Sequence, residues 1–244
     1  MIIAIASGKG GVGKTWFAIT LAHATARAGR RVLLFDADLG LANVDIQLGL
    51  MPEHDLGSVI AGRATLADAK LHHAEGGFDI VAGRSGSGAL SALDSSVLEH
   101  ALNALREVAR GYDLVFLDLG AGLDRAVRRM SAWADTLLVV VTEEPTSLTD
   151  AYAVLKLHSG DAPNGDARIV VNQASSRQAG ERTFVTLQRA CQTFLGHAPV
   201  LAGIVRRDDH VRDAIRRQTL LLSRHPNTPA AADVIAVAAG LSGA

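Results

Sequence analysis

The stretch of the chain with the clearest chemistry is ASGKGGVGKTWF, residues 6–17. Gly8 to Thr15 satisfies the spacing G-x-x-x-x-G-K-[S/T] of a loop that cradles phosphate. Glycine at Gly8, Gly10, Gly11 and Gly13 lets successive backbone N–H groups, that of Val12 among them, curl around phosphate oxygens at angles and distances a Cβ would obstruct. Lys14 is then placed to neutralise β- and γ-phosphates, and the Thr15 hydroxyl to ligate Mg2+ directly. Trp16 follows in the first helical turn, at the edge of any bound nucleotide, where packing is favoured over stacking on a base. A second lysine, Lys9, stands ahead of the usual one, and the loop chemistry alone does not call for it.

A phosphate site of this kind needs carboxylates to hold a metal and an attacking water. VLLFDAD (32–38) supplies Asp36 and Asp38, and LVFLDLGAG (114–122) supplies Asp118 followed by two glycines that permit movement. Ligands of open parallel sheets lie beyond the carboxyl ends of the strands, so these three acids are expected to converge on the loop. Asp118 is expected to hold Mg2+ through water, Asp38 to orient or deprotonate the attacking water, and Asp36 to support them from behind, also reaching the metal through water. The nucleotide is read from IVVNQASS (169–176). Guanine-specific phosphate-loop proteins commonly use N-K-x-D, and no aspartate stands three residues after Asn172. Asn172 can both donate and accept, which suits the adenine edge, so ATP is expected.

The elements that must position these groups are legible as alternating patterns. Short unbroken apolar runs at 2–6, 32–35, 78–81, 114–117, 137–141 and 169–171 are what strands buried on both faces require. Between them lie helical periodicities at 15–29, closed by Gly29, and at 97–110, 147–158 and 182–195. This predicts an α/β fold, a mostly parallel sheet with helices on both faces, and one domain spanning 1–244. With 24 Lys and Arg against 25 Asp and Glu, there is no global attraction to nucleic acid or anionic lipid. The single cysteine, Cys191, excludes an intramolecular disulfide; it follows a helical period and reads as a packed thiol. Neither a signal-peptide pattern nor a transmembrane-length apolar run is present, and a soluble cytoplasmic protein is expected. His72 and His73 read as part of a polar loop without partners at ligand spacing, so no metal site is expected there.

KGGVGKT with its leading lysine resembles the deviant phosphate loop of the MinD/ParA superfamily of dimerising ATPases, which share the P-loop NTPase fold of the nitrogenase iron protein. DADLGLANVDIQLGL (36–50), AGRSGSGALSAL (82–93) and EEPTSLTDAYAVLK (143–156) are more narrowly similar to the flagellar-number regulators FlhG and FleN. The resemblance implies a role for Lys9. In the superfamily the leading lysine reaches across a nucleotide-sandwich homodimer to the phosphates of the partner's ATP, where it neutralises charge on the transferred phosphoryl group. It implies an ATP hydrolase, Mg2+-dependent and slow without an activator, acting as a switch: the ATP dimer exposes one surface and hydrolysis dissolves it. Segments 38–45 and 118–124 would be its moving parts.

The sequence departs from the flagellar pattern in three places. The chain begins at Met1 with the first strand, without the preceding segment that stimulates a partner GTPase, so that stimulation is not expected. The stretch TPAAADVIAVAAGLSGA has no Lys or Arg and little bulky apolar surface, so direct membrane binding is not expected. Arg206 stands where the family commonly has a proline in its adenine-side loop, and no base contact is assigned there. RRDDHVRDAIRRQ (206–218) has Arg212 and Arg216 one helical turn apart beside Arg217, which could meet nonspecific DNA, but interleaved Asp208, Asp209 and Asp213 favour a solvated, ion-paired helix. The expected function is therefore a MinD-like ATPase regulating flagellar number or placement, or a related polar structure, through a protein partner. The alternative is a ParA-type DNA-partitioning ATPase.

Overall fold

In the computed structural model, which describes residues 1–38, 40–83 and 95–242, the runs of apolar residues become the inner strands of an eight-stranded sheet. In chain order the elements are β1 (Ile2–Ser7), α1 (Lys14–Arg27), β2 (Val32–Ala37), α2 (Val44–Leu48), α3 (Leu56–Ile60), β3 (Lys70–His73), β4 (Phe78–Val81) and α4 (Ser95–Ala109). There follow β5 (Leu114–Ala121), α5 (Arg125–Trp133), β6 (Thr136–Val141), α6 (Pro145–Asp161), β7 (Asp166–Ala174) and α7 (Arg177–Leu195). The last elements are β8 (Val200–Arg206), α8 (Asp209–Arg216), α9 (Leu221–Arg224) and α10 (Pro229–Ser242).

The strand order is β3-β4-β2-β5-β1-β6-β7-β8, with every pairing parallel except that of β3 with β4. Alternation along each strand feeds two cores. Ile2, Ala4 and Ala6 of β1 face the layer of α4 to α7, where Leu102, Met130, Leu155 and Leu187 pack. Ile3 and Ile5 face the opposite layer, built from α1, α8, α9 and α10. The resulting α/β architecture, helix layers on both faces of a mostly parallel sheet, is the one the apolar runs predict.

Two strands were not foreseen. β8 (VLAGIVR) carries glycine and alanine in its middle, because Gly203 lies against α10: a Cβ there would stand 2.4 Å from Val237 Cγ2. β3 (KLHH) is a short polar edge strand. This corrects the loop reading of His72 and His73: both belong to β3, and His72 Nδ1 lies 2.7 Å from the carboxylate of Asp79 across the strand pair. Among the described residues no group of three or more His, Cys, Asp or Glu side chains is gathered as a metal-binding cluster. Cys191 is buried without a partner cysteine, and burial pushes its thiol up to about 11. The stretch 229–242, read as an unlikely membrane anchor, is a core helix whose Val234, Val237 and Leu241 are buried. Among the described residues no helix is long and apolar enough to cross a membrane. Of the loop AGRSGSGALSAL, residues 84–93 lie outside the described residues.

Candidate functional site

β1 runs into the glycine-rich loop, and α1 begins at Lys14 directly after Gly13. Gly11 and Gly13 adopt φ of +80° and +85°, left-handed values a side chain resists. The loop is clamped from two sides. A Cβ on Gly8 would lie 2.5 Å from the Asp150 carbonyl oxygen on α6, and one on Gly13 would lie 2.6 Å from Asn172 Nδ2. Asn172, buried at the end of β7, donates from Nδ2 to the Val12 carbonyl at 2.8 Å; its neighbour Gln173, at a φ of 56°, donates from Nε2 to the Gly11 carbonyl at 3.3 Å. With its amide nitrogen engaged by the loop, Asn172 has its oxygen left as acceptor. Gly10 is exposed and Thr15 half-buried in the first turn of α1.

Two of the three acids stand side by side, and the loop lysine reaches one of them. Asp36 and Asp118 are register partners on the adjacent strands β2 and β5, and Ile5 of β1 is the register partner of Asp118 on its other side. Asp118 lies inside β5, which continues to Ala121, and not at the strand's end as its following glycines suggested; Gly122 makes the turn at a φ of +110°. Lys14 Nζ donates to Asp118 Oδ1 at 2.7 Å with both side chains buried, whereas Asp118 Oδ2 is buried with no hydrogen-bond partner. Asp36 is wholly buried. Its Oδ2 accepts from the backbone N–H groups of Asn43 and Val44, each at 3.0 Å, and its Oδ1 from that of Asp38 at 3.2 Å. Burial, followed by the negative charge of Asp118, raises the Asp36 carboxyl to about 7, against the opposing pull of those N–H groups. Asp38 follows β2; its Oδ1 accepts from Gly40 and Leu41 N–H at 3.1 and 2.9 Å, and its carboxylate rests against Gly120.

These positions fit a divalent cation. Asp118 Oδ2 is an acceptor without a donor, in a place where an isolated charge is costly, and the oxygen-rich donor set of Thr15, Asp118 and the remaining acceptor position of Asp36 suits a hard ion such as Mg2+.

Lys9 sits at the rim, its side chain 39% exposed. Its Nζ pairs with Glu144, which precedes α6, and donates to Thr146 Oγ1 at 3.1 Å. Beside the loop opens a cavity of about 290 Å³, lined by Trp16, Asn172 and Gln173 and closed by Arg206 to Asp209 with Val211, Arg212 and Ile215 of α8. Trp16 is buried as expected and forms one apolar wall. Arg206, to which no base contact was assigned, does reach this cavity, but its guanidinium is tied to buried Asp233 at 2.8 and 3.0 Å. In the basic stretch, Asp213 binds Arg217, Arg224 and His225, which supports the ion-paired reading. Sequence reasoning missed Glu144, Asp150 and Gln173; all three act on the loop from elements distant in the chain, and only the similarity of 143–156 to a known string pointed toward the first two.

A family model for the CobQ/CobB/MinD/ParA nucleotide binding domain matches residues 3–221. The chain belongs to this family. The Antiactivator FleN of Pseudomonas aeruginosa is 40% identical over 97% of the chain and 84% of its own length. The flagellum site-determining protein YlxH of Helicobacter pylori is 28% identical over 92% of the chain and 76% of its own. Among solved structures, the MinC:MinD cell division protein complex of Aquifex aeolicus superposes with a TM-score of 0.83 at 25% identity, covering 100% of the chain and 96% of the matched one. Within the MinD/ParA family the narrower similarity to the FlhG and FleN type, first carried by short strings, thus extends over nearly the whole chain, and the fold is that of the MinD-like P-loop NTPases.

Proposed function

We propose that the protein is a Mg2+-dependent ATP hydrolase that works as a nucleotide-gated homodimeric switch, serving flagellar number or placement. The observation that carries the reading is the joint placement of Lys14, Asp36, Asp38 and Asp118 around a glycine loop, with a further lysine, Lys9, standing apart from them at the exposed rim. Lys14 exchanges Asp118 for the β- and γ-phosphates, and the loop N–H groups from Gly8 to Thr15 take the remaining oxygens. Mg2+ would be held by the Thr15 hydroxyl and, through water, by Asp118 and Asp36; bound there it screens the phosphate charge. Asp38 orients the attacking water and takes up its proton. Asn172 presents its free oxygen to the exocyclic amino group of adenine, a donor that guanine lacks at that position.

Two features support a partner over this face. Leu41 and Leu123, 70% and 40% exposed, stand on the loops that follow β2 and β5, at the same sheet end as the phosphate loop. Lys9, bound only to partly exposed groups, is free to exchange them for a partner subunit's phosphates. The flagellar setting rests on the similarity to FleN and to the flagellum site-determining protein. Size-exclusion chromatography with light scattering of Asp38→Ala tests the reading: a dimer with ATP and a monomer with ADP are expected. A monomer in both, or a dimer that forms equally with ADP, would sink the switch.

A further inference from the structure

We infer that Gln218 is a positioning residue that ties the wall of the nucleoside cavity to the segment carrying Asp38, with α2 as the strut between them; the inference rests on the ATP reading above. α2 is only five residues long, too short to hold itself together, and the structure clamps it at both ends. At its start, Asp36 Oδ2 takes the Asn43 and Val44 N–H groups. At its end, the Ile46 carbonyl, which otherwise takes only a long bond from the Gly49 N–H at 3.3 Å, accepts from Gln218 Nε2 at 2.8 Å. Gly49 completes the seat: at a φ of +64° it lies flat against Gln218, and a Cβ there would stand 3.0 Å from Gln218 Oε1.

Gln218 is itself unusual. It stands just past the Arg217 cap of α8, its N–H bonds to the Ile215 carbonyl at 3.0 Å, and its φ is 52°. That is the left-handed position after a helix which glycine fills without strain. A glutamine there is disfavoured by its backbone, and its amide is what a glycine would not provide. The other non-glycine residue with positive φ among the described residues is Gln173, whose amide likewise reaches across to the phosphate loop. Because α8 lines the cavity through Val211, Arg212 and Ile215, a base entering it bears on α8. The path then runs through Gln218 and α2 to Asp36, and Asp36 also accepts the N–H of Asp38.

The test is a double-mutant cycle on Gln218→Gly and Gly49→Ala, neither of which touches nucleotide or metal. Gln218→Gly suits the backbone at that φ, so its melting temperature should not fall. In both single variants, amide exchange in residues 43–48 of the nucleotide-free protein should rise by roughly tenfold, and kcat for ATP should drop by roughly five- to tenfold with ATP affinity within about twofold of the parent. The double variant should be no worse than either single. Additive losses, or parental exchange and kcat in Gln218→Gly, overturn the inference. The exchange measurement needs no hydrolysis, so a parent protein that fails to turn over ATP defeats the ATP reading while the strut is still judged by exchange alone.

Discussion

Removing Lys14 should have two separable effects, because that ammonium is also the partner of a buried acid. Asp118 has no exposed surface, its Oδ1 has Lys14 at 2.7 Å, and its Oδ2 has no partner. Lys14→Ala therefore leaves a carboxylate in the interior beside a second one, Asp36, the two being register partners on neighbouring strands. Breaking a buried pair by deleting one member costs about 3–5 kcal/mol, and the lower figure, about 3 kcal/mol, is the loss to look for. For a chain of this size that lowers the melting temperature by roughly 6–12 °C. Lys14→Met combined with Asp118→Asn removes both charges and should recover most of the loss. Calorimetric melting in chelator, without nucleotide, reads this, and titration calorimetry should show ATP binding abolished in both variants. If Lys14→Ala melts within about 2 °C of the parent, or the paired replacement is no more stable than Lys14→Ala alone, the buried pair is not what holds this site together.

Other perturbations probe the loop and the core. His23 is buried, and its imidazole is lowered to about 4, mainly by burial and then by Arg27. The unfolded chain thus takes up a proton near the ordinary value while the folded one does not. Stability should fall as pH drops below that value, by about 2 kcal/mol between pH 7 and 5, and His23→Gln should lose less in denaturant titrations; equal losses would contradict the assignment. Asn172→Ala removes the bond to the Val12 carbonyl and the acceptor proposed for adenine, so ATP affinity should fall by roughly tenfold and the preference over GTP should shrink in competition titrations. Gly8→Ala puts a methyl 2.5 Å from the Asp150 carbonyl oxygen, displacing the loop from α6. Calorimetry should show at least a tenfold weaker nucleotide with the fold intact by circular dichroism, and unchanged affinity would rule out a close-packed loop.

Much of this site could be read in the sequence because its chemistry is local. A phosphate loop needs its glycines and lysine in one continuous stretch, and Asp36 and Asp118 announce themselves at the carboxyl ends of apolar runs that can only be inner strands. The unread parts are those where a residue's role depends on a neighbour far along the chain. Asp150 is an ordinary helical aspartate until Gly8 is found pressed on its carbonyl. Glu144 reads as a helix-flanking acid until Lys9 is seen bound to it. β8 escaped notice because Gly203 interrupts its apolar run, and the reason for that glycine, the close approach of Val237, lies on another element. β3 escaped because an edge strand with one solvated face has no need of apolar side chains.

The central claim, that Lys9 serves the active centre of the opposite subunit, is tested most directly by mixing two inactive variants. On the proposed roles, Lys9→Ala has its own Asp38 but gives its partner no lysine, whereas Asp38→Ala gives a lysine but cannot activate water. In a mixed dimer, one site receives Lys9 from the Asp38→Ala subunit and retains its own Asp38. With random pairing at equal amounts, half the dimers are mixed and each holds one intact site, so ATP turnover should return to about a quarter of the parent rate. A mixture as inactive as its components would show that Lys9 acts within its own subunit, and the account of an exchanged lysine would be wrong.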